Sequence, residues 1–248
     1  MTTRTGGHSV GPFDSWNLGD HVGDDPAHVA ANRALLTQTL GVRPVLMRQV
    51  HGVHCQALTA DTPDGAVADA SFTTQNGVAC AVMVADCLPV LFSDHRGHWV
   101  AAAHAGWRGL LGGVLDATVA SYLHLPNGQP RPGLAGDLMA WLGPCIGPHA
   151  FEVGADVRDA FQSEWDWAGP NGVARFFSPV TGAVGKFWCD LPALARFRLD
   201  QLGVQRVFGN DGTRPWCTVS EPRLWFSHRR DARFLGGSGR MAACIWRV

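Results

Sequence analysis

The sequence predicts an α+β layered fold, on three observations. Helical and β-prone segments alternate irregularly, without the regular βαβ rhythm of a doubly wound sheet. Hydrophobic residues make up 46% of 248, enough to bury a substantial core as one large domain or two small ones. Several short apolar runs rich in Val, Ala and Trp read as buried strands rather than amphipathic helices.

The elements follow in order. Asp25 suits an N-cap, Pro26 the first helical position and Gly41 a helix stop, which predicts a helix over 26–40. Residues 45–50 read as a strand. Residues 78–84 and 88–92 are apolar and β-prone, interrupted at Ala85-Asp86-Cys87. A strand over 99–103 runs into a helix over 107–123. Further helices are expected over 155–165 and over 191–202, the latter with Asp190 as N-cap and Gly203 as stop. Strands are expected at 138–142, 187–189, 206–208 and 241–246. The stretch from Pro126 to Gly133 is the clearest break, a long surface loop or a weak subdomain boundary, and 165–173 is a second loop candidate.

Composition narrows the function classes. A net charge of −1 gives no global basic field for nucleic acid or a membrane surface. No apolar run approaches the roughly 18 residues that would span a bilayer. The N-terminal residues lack the apolar core of a secretion signal, so a cytoplasmic protein is expected. The seven cysteines are odd in number, widely spaced and without a CxxC pair, against a disulfide framework or a zinc ribbon. Most sit in apolar runs and read as buried, inert thiols. Arginine supplies all basic residues except Lys186. Arginine suits bidentate phosphate or carboxylate recognition, although a genome-wide codon bias would give the same skew.

Three blocks each offer one soft metal ligand: His51 in Arg48-Gln49-Val50-His51-Gly52, Cys87 in Ala85-Asp86-Cys87-Leu88-Pro89, and His104 in Ala103-His104-Ala105-Gly106-Trp107. All three fall at predicted strand ends or kinks, where side chains can converge on one cleft while the sheet holds them. Two imidazoles and one thiolate suit Zn²⁺, with copper as a second option, and three protein ligands leave a fourth position open. Their separations of 36 and 17 residues match no local zinc motif, and a histidine taken singly is as a rule a satisfied polar group. His51 and His54 form an HxxH, but i and i+3 on a strand face opposite ways, so His54 reads as structural or solvated, as does His95. Glycines 106, 109 and 113 open the helix at 107, either for close packing on the sheet or to offer free N–H groups to an anion beside Arg108. Cys145, in the rigid Gly143-Pro144-Cys145-Ile146-Gly147 turn, could line a pocket or be a small filler. The stretch Phe226–Asp231 puts Arg229 and Arg230 beside Ser227 and otherwise reads as a solvated turn.

With these blocks assembled, the chain resembles the YfiH family, known under three descriptions: laccase-type polyphenol oxidase, purine nucleoside phosphorylase and peptidoglycan editing factor. The resemblance extends in order through Asn17-Leu18-Gly19, Val22-Gly23-Asp24-Asp25, Asn32-Arg33, Gly143-Pro144-Cys145-Ile146-Gly147, Phe151-Glu152-Val153-Gly154, Cys217-Thr218 and Phe226-Ser227-His228-Arg229-Arg230. His228 stands where Tyr is more frequent. The resemblance implies a single domain over 1–248, a layered α-β-β-α sandwich with mixed β-sheets, and a zinc site made by His51, Cys87 and His104. It also implies phosphorolysis of adenosine, inosine, guanosine and methylthioadenosine, with adenosine deamination as a second activity.

Under that reading the candidate catalytic residues are Asp86, Cys87, His104 and Arg108, and the candidate substrate-binding residues are Asn17, Arg48, Cys145 and Arg229. Zinc lowers the pKa of a bound water to about 7. Zinc deaminases use a glutamate as proton shuttle, and no glutamate adjoins the ligand blocks, so Asp86 is the best-placed substitute. A copper polyphenol oxidase needs many clustered histidines; this chain has 11 and no HxH pair. A hydrolase acting on peptidoglycan precursors would use Cys87 as nucleophile and His104 as base. A binding protein would use the ten tryptophans as a surface. The expected partners are a small-molecule nucleoside and phosphate, with neither nucleic acid nor membrane. Oligomeric state does not follow from the residues.

Overall fold

The computed structural model describes residues 1–124, 135–165 and 172–248. Its elements are α1 (Pro26–Leu40), β1 (Arg43–Leu46), β2 (Cys55–Ala57), β3 (Ala70–Thr73), β4 (Val78–Val84), β5 (Leu88–Asp94), β6 (Val100–Ala105), α2 (Trp107–Gly112) and α3 (Val114–Leu123). These are followed by β7 (Leu138–Leu142), β8 (Glu152–Gly154), α4 (Ala155–Glu164), β9 (Phe177–Pro179), β10 (Lys186–Cys189), α5 (Leu191–Gln201), β11 (Arg206–Gly209), α6 (His228–Leu235) and β12 (Met241–Trp246).

Two mixed sheets stack face to face. The smaller has the order β1-β4-β12, with β4 parallel to β1 and antiparallel to β12. The larger has the order β11-β7-β5-β6-β3-β2, antiparallel at its centre and parallel at both edges. Side chains alternate across a strand, so a strand inside a sandwich buries both faces. Strand β4 does this. Val78, Cys80 and Val82 pack with Val100 and Ala102 of β6 between the sheets. Ala81 and Met83 turn outward onto Leu36 of α1. On the far side, Val90, Phe92, Ala101 and Ala103 pack against Leu110, Val114, Leu115 and Val119 of α2 and α3. The layers therefore run helix, sheet, sheet, helix. A third sheet, β8-β10-β9, is antiparallel. Among the described residues no helix is long and apolar enough to cross a membrane. All seven cysteines are free thiols.

The expected helix over 107–123 is two helices. Gly113 adopts φ +99°, a left-handed conformation open to glycine, and its N–H bonds back to Gly109 and Leu110, closing α2 before α3 begins. The strand expected over 45–50 ends at Leu46. Arg48 keeps one bridge to Val67, and the N–H groups of residues 50–52 turn to a carboxylate instead of a strand. Strands β2, β8 and β9 have three residues each, too short to show a period. Residues 228–235 are helical, not a solvated turn: Ser227 accepts from the Arg230 N–H as N-cap, and Gly236 closes the helix at φ +76°. The Pro126–Gly133 break lies outside the described residues, as do residues 166–171 of the second loop candidate.

Candidate metal centre

The centre is organised by a residue that sequence reasoning passed over. Asp69, buried just before β3, accepts from three successive backbone N–H groups: Val50 at 3.1 Å, His51 at 2.8 Å and Gly52 at 2.7 Å. That wraps the chain around one carboxylate and holds His51 at φ +60°, a left-handed conformation rare for a residue with a Cβ. The same carboxylate lies 2.9 Å from His104 Nδ1, and the Asp69 carbonyl accepts from the His104 N–H at 2.7 Å. With Nδ1 donating to Asp69, Nε2 of His104 is left for the ligand position.

Strand β6 supplies His104 in the face that carries Val100 and Ala102, turned toward the smaller sheet. Cys87 comes from the tight β4–β5 connection, where Asp86 takes φ +87°. Its Sγ lies 3.6 Å from His51 Nε2, and the ligand atoms of His51, Cys87 and His104 all fall within 4.8 Å of one another. The two imidazoles meet edge to face, 4.8 Å between centroids. Exposure rises from buried His104 through half-buried Cys87 to exposed His51, so the cluster opens on one side. Gly106 makes room for it: a Cβ there would lie 2.8 Å from Cys87 Sγ and 2.9 Å from His51 Cδ2.

Burial pushes the Cys87 thiol up, but the charge and hydrogen bond of His104, then of His51, outweigh it and bring it down to about 6. Burial lowers His104, but the Cys87 thiolate and Asp69 raise it to about 9. Without metal the two form a thiolate–imidazolium pair at neutral pH. Cys55, Cys80, Cys145, Cys189 and Cys244 run the opposite way, each raised by burial. Two imidazole nitrogens and one thiolate fit a tetrahedral Zn²⁺ with one position open, and His₂Cys also suits copper. The Asp69–His104 pair is the outer support such ligands usually have. Among the described residues this is the one His/Cys/Asp/Glu group able to hold a metal.

The cluster forms the floor of a cavity of about 450 Å³. Asp86, Trp107, Arg108, Arg229 and Arg240 are among its walls. Asp86 is held through both oxygens, by the Thr218 hydroxyl at 2.6 Å and the Arg229 backbone N–H at 2.6 Å. Arg108 lies over the Trp107 ring, 4.3 Å from its centroid. Arg229 donates through Nη1 to the Glu152 carbonyl at 3.1 Å and stands over Phe151.

Three predicted substrate-binding residues lie elsewhere. Asn17 is fully buried, its amide tied to Gly19, Asp24 and the Arg240 N–H, and it is not in the cavity wall. Cys145 is fully buried behind Ile146, which lines the cavity in its place, and its sulfur accepts from Asn210 Nδ2 at 3.4 Å. Arg48 is exposed and lines a neighbouring cavity of about 540 Å³, joined to the first through His21 and Gln49. Arg240 was missed because nothing in Gly239-Arg240-Met241 resembles a site. Asp69 had one legible signal, a lone carboxylate between alanines at the start of an apolar strand.

Known proteins resemble the chain over its whole length. The family model described as multi-copper polyphenol oxidoreductase laccase matches residues 1–248. A purine nucleoside phosphorylase of Pseudomonas aeruginosa is 47% identical, the match covering 99% of this chain and 91% of that protein. Purine nucleoside phosphorylase YfiH of Escherichia coli is 44% identical, covering 100% and 92%. The crystal structure of Neisseria meningitidis protein NMB0706 superposes with a TM-score of 0.84 at 45% identity, covering 100% of this chain and 92% of that one. YlmD of Geobacillus stearothermophilus gives 0.82 at 33% identity, covering 99% and 90%. The ligand blocks, the layered mixed sheets and these full-length matches together make the chain a member of the YfiH family.

Proposed function

We propose that the chain is a cytosolic, zinc-dependent purine nucleoside phosphorylase that splits adenosine, inosine, guanosine and methylthioadenosine with phosphate. Adenosine deamination is its second activity. The observation that carries this reading is the floor of the cavity: His51, Cys87 and His104 converge within 4.8 Å beneath a wall of arginines and Trp107. The relatives' names support it.

Zinc, when bound, supplies Lewis acidity and activates water near neutral pH. The chain's own residues do the rest. Asp69 fixes His104 and the His51 loop. Trp107, backed by the Arg108 guanidinium, offers a flat face to a purine. Arg108 and Arg229 offer forked donors to phosphate or to the departing base. Asp86, clamped by Thr218 and Arg229, is a carboxylate of the wall and the candidate proton carrier for deamination; among the described residues no glutamate lines the cavity. In phosphorolysis a phosphate oxygen bonds to C1′, the glycosidic C–N bond breaks, and its electron pair leaves with the purine, which is then protonated. The products are the free base and ribose 1-phosphate, or 5-methylthioribose 1-phosphate from methylthioadenosine. Incubation with adenosine and phosphate tests this: adenine and ribose 1-phosphate form, and formation stops in His51→Ala and Cys87→Ala. Unchanged turnover in both variants overturns the zinc mechanism.

A second reading rests on one observation. Cys87, His104 and Asp69 stand in the order of a nucleophile, its base and the group that orients the base, with the thiol already down at about 6. This suits a hydrolase of peptidoglycan precursors. Rapid alkylation of Cys87 by iodoacetamide in the zinc-loaded protein, with cleavage of muropeptide precursors, favours it; protection of Cys87 by zinc goes against it. A copper polyphenol oxidase has less support, since a multicopper centre needs more ligand groups than the one found among the described residues. Metal analysis after purification without added copper decides: stoichiometric copper with phenol turnover would defeat the zinc reading.

A further inference from the structure

Arg240 immediately precedes β12 and reaches the cavity that holds the metal cluster. It is held from several directions. Its Nη1 donates to the carbonyls of Ser238 at 2.9 Å and Gly239 at 3.1 Å. Its backbone N–H donates to Asn17 Oδ1 at 2.8 Å, and its carbonyl accepts from the Leu18 N–H at 3.0 Å. The stem of the side chain lies on Gly19, where an added Cβ would come within 2.7 Å of Arg240 Cγ. The Asn17-Leu18-Gly19 turn is thus a cradle shaped to this one arginine.

The guanidinium is mostly buried, and burial works against its charge. Yet among the described residues no carboxylate lies within ion-pair distance of it. The Cys87 thiolate and then Asp86 are near enough to act on it electrostatically and favour its charge, but both Asp86 oxygens are already engaged by Thr218 and Arg229. Nε and Nη2 of Arg240 have no partner among the described residues, which leaves three N–H donors on a fixed guanidinium in the cavity wall. The other arginines of the wall differ. Arg108 is exposed and stacked on Trp107, and Arg229 reaches out to Glu152 and Phe151. A rigid fork of donors without a carboxylate matches an oxyanion with two acceptor oxygens.

We propose that Arg240 is the phosphate seat of this cavity, with Asn17 and Gly19 as the residues that position it. The choice of phosphate as the anion rests on the phosphorolysis reading above. It deepens that reading by separating a phosphate-holding arginine from the arginines that face the purine. It also gives Asn17 a role through Arg240 instead of through substrate.

The test uses inorganic phosphate as probe, with chloride at matched ionic strength as control. Phosphate raises the melting midpoint of the wild type, and the rise disappears in Arg240→Met. In turnover, KM for phosphate increases about tenfold or more in Arg240→Met, as expected for losing a charge-assisted pair, while KM for the nucleoside stays within about twofold. Arg240→Lys, which keeps the charge, recovers part of both effects and covers the case where the methionine variant folds poorly. Asn17→Ala moves KM for phosphate in the same direction, by less. An equal midpoint rise in wild type and Arg240→Met, or no rise in the wild type, overturns the proposal. The midpoint comparison needs no turnover, so it still decides on Arg240 if nucleoside cleavage is never seen; absence of cleavage alone counts against the phosphorylase reading.

Discussion

The floor and the wall of the cavity are built from different parts of the fold. The floor comes from the stacked sheets: His104 rides on β6, Cys87 sits in the three-residue link between β4 and β5, and the His51 loop is wrapped on Asp69 by three N–H groups. The wall comes from segments far apart in sequence, among them His21, α2, α6 and Arg240 just before β12; carboxylate and amide oxygens tie two of them down, Asp86 the Arg229 N–H and Asn17 the Arg240 N–H. Sheet strands and one buried carboxylate, Asp69, fix the first. Hydrogen bonds between segments distant in sequence fix the second.

That contrast breaks most sharply under direct substitution. His51→Ala or Cys87→Ala removes bound zinc and cuts phosphorolysis by on the order of a thousandfold or more, whereas Arg229→Ala costs about ten- to a hundredfold, mostly in KM. Metal content by mass spectrometry beside steady-state kinetics checks both; an Arg229 loss as deep as the Cys87 loss would erase the distinction between floor and wall. Next comes the support of the floor. Asp69→Asn keeps the shape but weakens the grip on the His104 Nδ1–H and on three backbone N–H groups, and zinc affinity drops about 10–100-fold. Competition against a chelator reads it, and an unchanged affinity would mean that the sheets alone hold the ligands.

The charge state of the floor gives a subtler handle. With the Cys87 thiol at about 6 and His104 at about 9, the metal-free site between these pH values is thiolate and imidazolium. Zinc needs the neutral imidazole, so one proton leaves with each metal bound, and affinity rises about tenfold per pH unit across this window. Above about 9 the slope vanishes; below about 6 a second proton adds to it. Calorimetry in two buffers of different ionisation enthalpy counts the proton, and a count of zero at about pH 7.5, inside the window, would show that the pair does not exist. The smallest effect belongs to neither region. Gly113→Ala forces a Cβ into φ +99° and lowers folding stability by about 1 kcal/mol or slightly more, with zinc content unchanged, as chemical denaturation would show.

How far the residues foretold this follows the same division. Long apolar runs announced β4, β5 and β12, and capping residues announced α1 and α5, because period and caps are local properties. The ligand blocks were legible because a histidine or cysteine at a strand end carries its chemistry on its face. Asn17 and Cys145 marked the right neighbourhood but do not line the cavity. Each is buried one layer behind the cavity, and burial depth is not written in a motif. Asp69 and Arg240 escaped because their importance lies in partners far away in sequence, His104 for one and Asn17 for the other. The break at Gly113 escaped because a glycine that packs closely and a glycine that turns left-handed look identical in one dimension.

Helix α2 crosses the division. It carries Trp107 and Arg108 in the wall, yet a Cβ on Gly109 would stand 3.1 Å from the Gly52 carbonyl, and one on Gly112 would stand 3.2 Å from Val53. The helix therefore rests almost backbone to backbone on the loop that bears His51. Under the nucleoside reading proposed above, a base pressing on Trp107 would push through this close contact on the loop that bears a metal ligand. In a cobalt-substituted protein, the visible absorption of the ion would then register a purine that never touches it.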